Sequence, residues 1–89
     1  MEIKEGKVTD YAMRSYFRDS KLNYMFVLEI DDSVEYCKYL EQAEYNIFMR
    51  KLLGGFQVGT LSDIVDCKLK YETDEAGVTK IILNNNIEL

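Results

Sequence analysis

Apolar and polar residues alternate with a period of two over residues 7–17, KVTDYAMRSYF. Thr9, Tyr11, Met13, Ser15 and Phe17 fall on one side, and Val8, Asp10, Ala12, Arg14 and Tyr16 on the other. Such alternation predicts a strand with one apolar face. The polar run RDSKLN at 18–23 reads as a turn. YMFVLEI at 24–30 is rich in aromatic and branched residues on both sides, which suits the buried partner strand of an antiparallel hairpin.

From residue 31 the period changes. Cys37, Leu40, Ala43, Ile47 and Phe48 fall at helical spacing, Asp32 and Glu35 resemble a capping box, and Arg50 and Lys51 stand where a helix dipole favours positive charge. The pattern predicts a helix over 31–55 that stops at Gly54, with Gly55 letting the chain leave in a new direction. FQVGTLSD at 56–63 reads as a short strand or loop. In IVDCKLKYE, Val65, Cys67, Leu69 and Tyr71 alternate with Asp66, Lys68, Lys70 and Glu72, which predicts a strand. TDEAG at 73–77 is a turn with Gly77 available for a left-handed position, VTKIIL at 78–83 is the return strand, and NNNIEL is expected to be loosely held. The expected order is β-β-α-(β)-β-β: one small α+β domain over residues 1–89, an antiparallel sheet of two hairpins with one central helix packed across it in two layers.

Composition narrows the classes. A chain of 89 residues with 47% hydrophobic and 30% charged residues is too apolar for disorder and too charged for a membrane span. At this length only about 60–65% of the unfolded surface is buried, so nearly every large apolar residue is needed in the core. No apolar run approaches the roughly 20 residues that span a bilayer, and the first 20 residues carry charges throughout, which points to an intracellular, cytoplasmic protein. In that compartment Cys37 and Cys67 are expected to be buried thiols. The lack of Pro, Trp and His, with many Asn, Ile, Lys, Tyr and Glu, is what AT-rich coding sequence tends to give and suggests a low-GC bacterium or one of its phages.

Little catalytic chemistry is on offer. KLLGGFQVGT at 51–60 is glycine-rich, yet a phosphate loop needs a strand before the glycines and a Lys after the last one, whereas Thr60 and Leu61 follow Gly59. Without His, the Ser-His-Asp and Cys-His arrangements are excluded in their usual form. Glu41 with Glu44 and Asp63 with Asp66 read as solvated carboxylates. The expectation is a non-enzyme with no cofactor and no metal.

Three binding features remain. The net charge of −5 concentrates between Glu29 and Glu44, where six carboxylates face one Lys38. Asp31, Asp32, Glu35, Tyr36, Tyr39, Glu41 and Glu44 form a candidate acidic, tyrosine-rich surface for a protein partner whose own groove handles nucleic acid. That reading makes the chain a small phage or mobile-element inhibitor or modulator of a host protein. The alternative is a nucleic-acid-binding hairpin in which Arg14, Tyr16 and Arg18 share one face near Lys21. A third reading is a homodimer, because the apolar stripe of the predicted helix is wider than one sheet face needs.

Overall fold

The computed structural model describes residues 2–89. Five strands, β1 (Glu2–Arg18), β2 (Lys21–Ile30), β3 (Val34–Glu41), β4 (Lys68–Asp74) and β5 (Gly77–Ile82), form one antiparallel sheet in the order β3-β2-β1-β4-β5. One α-helix, α1 (Gln42–Phe56), connects β3 to β4, and short 3-10 turns occupy Leu61–Ile64 and Asn84–Asn86. The α+β class and the antiparallel sheet with a single helix agree with the pattern read from the sequence.

The predicted helix over 31–55 is corrected in its first half. Residues 34–41 form β3, paired with β2 from Ile30↔Val34 to Asn23↔Glu41. The chain reverses at Asp31 and Asp32, whose φ values of 53° and 58° give the left-handed pair that suits a hairpin. The helix begins at Gln42 instead, where Glu44 Oε1 accepts a hydrogen bond from the Glu41 amide at 3.3 Å. Gly54 does not stop it. Gln57, at φ 59°, takes the left-handed position, and the Gln57 and Val58 amides donate to the Gly54 and Leu53 carbonyls in a Schellman-type ending. Gly55 serves close approach, since a Cβ there would lie 2.5 Å from Leu83 Cδ1. Residues 57–67, expected to hold part of a strand, instead carry loop and the first 3-10 turn, and β4 begins at Lys68.

β1 is longer than either of its neighbours and serves both. Glu2–Lys7 pairs with β4, and the strand from Val8 to Arg18 pairs with β2. The handover occurs at a bulge between Val8 and Asp10. There the Val8 amide donates to the Cys67 carbonyl at 2.9 Å and its carbonyl accepts from the Asp66 amide at 2.7 Å. The extra residue turns Val8, which alternation assigns to the polar side, into the core at 0% exposure. Thr9 closes the bulge: its Oγ1 lies 3.0 Å from Glu29 Oε1 and accepts from the Asp32 amide at 2.9 Å.

Bent at this point, the sheet curls until its two edge strands, β3 and β5, approach each other, giving a partly open barrel. Phe26, Leu28 and Ile30 from β2, Leu69 and Tyr71 from β4 and Ile81 from β5 fill it. The helix presents Phe48, Leu52 and Phe56, spaced one turn apart, to the same core. Phe48 meets Phe26 edge-on at 5.3 Å, and Tyr45 stacks on Tyr24 at 4.2 Å, so α1 is fixed mainly to β2 and β3. The terminal segment, expected to be loose, is tied back: Leu83 and Leu89 amides donate to Ile87 and Ile81 carbonyls, and Ile87 and Leu89 pack on the core.

Candidate nucleic-acid interface

The pleat of β2 and β3 sends Phe26, Leu28, Ile30, Tyr36 and Leu40 to the inner side, which Lys38 shares opposite Phe26, and the alternate residues outward. Register fixes the outer face row by row. Asp10, Glu29 and Glu35 make an acidic row; Ala12, Val27 and Cys37 follow; then Arg14, Met25 and Tyr39; then Tyr16, Asn23 and Glu41; and finally Arg18 beside Lys21 at the hairpin tip. Arg14, Arg18 and Lys21 are exposed, and no ion pair engages any of them among the described residues. Tyr16 is half-buried and Tyr39 is 66% exposed. The tip itself is a two-residue turn through Asp19 and Ser20, at φ 54° and 63°, and it carries the pair Arg18↔Lys21 past the last pairing of β3.

All four residues of the sequence-derived basic group, Arg14, Tyr16, Arg18 and Lys21, therefore share one exposed end of one sheet face. Tyr39 joins them across β2 from Arg14, a neighbour that sequence reading missed because it placed Tyr39 on a helix. The available signal was alternation in VEYCKYLE, where Tyr39 shares a side with Glu35 and Cys37.

The acidic group is distributed differently. Asp31 and Asp32 lie in the β2–β3 turn and Glu35 beside it, whereas Glu41 and Glu44 lie at the other end of β3, about 20 Å away for a strand of this length. Asp31 is engaged with its own backbone surroundings, its Oδ1 accepting from the Lys7 amide at 3.1 Å. Tyr36 points into the core at 8% exposure and is not a surface residue. Burial pushes its phenol above the ordinary value, and the Glu88 carboxylate adds to the effect. Because the folded value is raised above the unfolded 10.0, the associated stability is whole below about pH 10 and is lost as pH climbs through the folded value. Tyr36→Phe is expected to flatten the alkaline arm of a pH–Tm curve above pH 10 while leaving the neutral arm in place; an unchanged alkaline arm would refute this.

The cysteines divide. Cys37, expected in the core, is exposed on the outer face. Cys67 is half-buried, and burial with nearby Asp63 and Asp66 pushes its thiol upward, away from the reactive thiolate. Among the described residues no cluster of three or more Cys, Asp or Glu side chains is assembled for a metal ion, and no helix is long and apolar enough to cross a membrane.

No protein-family description, no curated protein and no solved structure matches the chain.

Proposed function

We propose that the chain is a non-catalytic, cytoplasmic binding domain for single-stranded nucleic acid, held on the outer face of β1, β2 and β3 at the hairpin end. The observation that carries this reading is the gathering of exposed Arg14, Arg18, Lys21 and Tyr39 with half-buried Tyr16 and Met25 at one end of that face. Guanidinium and ammonium groups between flat rings suit a single strand, whose phosphates seek positive charge while its unstacked bases seek a ring to stack on. A duplex buries those ring faces and offers only phosphates here. The scaffold adds support by analogy at the level of fold: five strands in a partly open barrel, with a long first strand and a helix between the third and fourth, resemble OB-type barrels, which bind oligonucleotides on the second and third strands and the adjoining hairpin loops. The row of three carboxylates Asp10, Glu29 and Glu35 lies at the far end of the face, while Glu41 and Asp19 lie within the basic end and leave it a small positive excess from Arg14, Arg18 and Lys21.

Fluorescence anisotropy with a labelled single-stranded dT oligomer and its RNA counterpart tests the reading. Three neutralised phosphates give a slope of about −2 in log affinity against log salt. Arg14→Glu is expected to weaken binding at least tenfold, and Tyr39→Ala to cost about 1–3 kcal/mol. No binding of either strand at 50 mM salt, or binding that ignores Arg14→Glu, would overturn it. The protein-partner reading predicts the opposite dependence: charge reversal at Glu35, Glu41 and Glu44 would then abolish partner binding while oligonucleotides remain irrelevant.

A further inference from the structure

The β1–β2 hairpin reaches past its neighbour. The last pairing of β3 is Asn23↔Glu41, after which the chain turns into α1 at Gln42, so Lys21 and Leu22 have no strand beside them on that edge. An open cleft of about 1000 Å³ lies there, lined by Phe17, Leu22 and Asn23 from the hairpin and by Gln42 and Ala43 from the start of the helix. Phe17 pairs with Leu22, and the pleat puts this pair on the core side, opposite the outward-facing pairs Tyr16↔Asn23 and Arg18↔Lys21. The core does not reach it. The preceding core-side pair, Ser15↔Tyr24, already meets the helix through the Tyr24–Tyr45 stack. Phe17, one row farther out, is 77% exposed, the most exposed large hydrophobic side chain among the described residues.

The charges around the cleft cancel. Arg18 and Lys21 stand against Asp19 and Glu41, so the cleft as a whole holds no net attraction for a phosphate or for a charged peptide. A neutral, flat group suits it better, with the Phe17 ring for its face and the exposed Gln42 amide for its polar edge. We propose that the cleft takes one unstacked base of the single strand held on the outer face, with Phe17 as the stacking platform. The proposal rests on the nucleic-acid reading and extends that site over the hairpin tip. Arg18 and Lys21 face outward, each one residue from Phe17 or Leu22. A strand whose phosphates lie on them therefore passes the unpaired edge of the hairpin, where β3 no longer separates the two sides, and drops a base against Phe17. Phe17 lies three residues, about 10 Å, along β1 from the Arg14–Met25–Tyr39 row, so it takes a different base from the one at Tyr39.

The chain has no Trp, so Phe17→Trp places a sole fluorescent reporter in the cleft. Its emission is expected to fall as a dT oligomer binds, along the same curve as the anisotropy of a label on the strand. A strand of equal length that is abasic throughout carries the phosphates without the bases and should bind without this quenching. Ile3→Trp, at a residue 57% exposed near the other end of β1, is the control and should not respond. In affinity, Phe17→Ala is expected to weaken dT binding about five- to 150-fold, the range for one base–aromatic stack, while abasic-strand binding and Tm stay as in wild type. Phe17→Trp should retain wild-type dT binding. Strand binding that depends on Arg14 but not on Phe17, or quenching by the abasic strand as strong as by dT, overturns the cleft and leaves the nucleic-acid reading standing. An equal loss of dT and abasic binding in Phe17→Ala assigns Phe17 to the shape of the tip and overturns the cleft as well. Failure of wild type to bind either strand overturns both readings together.

Discussion

Gly6→Ala is expected to destabilise the fold by about 2 kcal/mol, lowering Tm by about 8–16 °C for a domain of this size. A Cβ at Gly6 would lie 2.6 Å from Ile30 Cγ2, 2.8 Å from Asp31 Oδ2 and 3.2 Å from Tyr71 Cε1. None of these neighbours can easily retreat. Ile30 has 0% exposure, Asp31 is held by the Lys7 amide, and Tyr71 is buried on β4. The crowding arises where β1 leaves one partner for the other, so the strain falls on the junction that curls the sheet. Removing glycine from a strand ordinarily gains up to about 1 kcal/mol through the unfolded chain, so a loss has to come from this contact. Gly54→Ala is the control: an added Cβ meets nothing within 4 Å there, and the residue lies in a helix, so Tm should rise. A Gly6→Ala protein as stable as wild type would show that the bend relaxes and that close approach does not require glycine.

The same junction marks where sequence reading stops being sufficient. The two hairpins were legible because alternation in KVTDYAMRSYF and KLKYE has only one geometric solution, and Tyr11, Met13, Leu69 and Tyr71 do pack on the core side. Val8 was not legible, because a bulge reverses the side on which a residue falls and leaves no mark on the pattern before it. VEYCKYLE was ambiguous for a different reason. Tyr36 and Leu40 satisfy both periods, two and about four residues, and the Asp32–Glu35 pair resembles a cap whereas the structure caps the helix with Glu41 and Glu44. Pairing with β2 decides between them, since a helix from residue 31 would leave that strand's outer edge open, while Asp31 and Asp32 supply the turn. Placing 34–41 in the sheet carried Cys37 and Tyr39 to the outer face and Tyr36 to the core. The basic group stays together because alternation holds from Asp10 to Arg18 and the turn, narrower than RDSKLN suggests, sets Arg18 against Lys21; the acidic group does not, because strand geometry in place of helix geometry separates its members.

Phe48→Ala is expected to cost about 4 kcal/mol. Phe48 is 5% exposed and its ring meets Phe26, itself at 0%, from β2. The void would open where α1 closes the barrel, between rigid strands that cannot collapse into it. A double-mutant cycle with Phe26→Leu should return a coupling of about 0.5–1.5 kcal/mol for the edge-on pair. The functional consequence follows from placement. Phe48 lies on the core side of β2, whereas Arg14, Tyr16, Met25 and Tyr39 project from the opposite side, so on the proposed nucleic-acid reading the variant is expected to bind oligonucleotide as wild type does wherever it remains folded. Chemical denaturation read beside anisotropy at low temperature makes the comparison. A stability loss under 1 kcal/mol would mean that α1 is not seated through Phe48. A Phe48→Ala protein that is folded yet fails to bind would mean that the outer face depends on the helix for its shape, and the site would then have to be drawn to include both sides of β2.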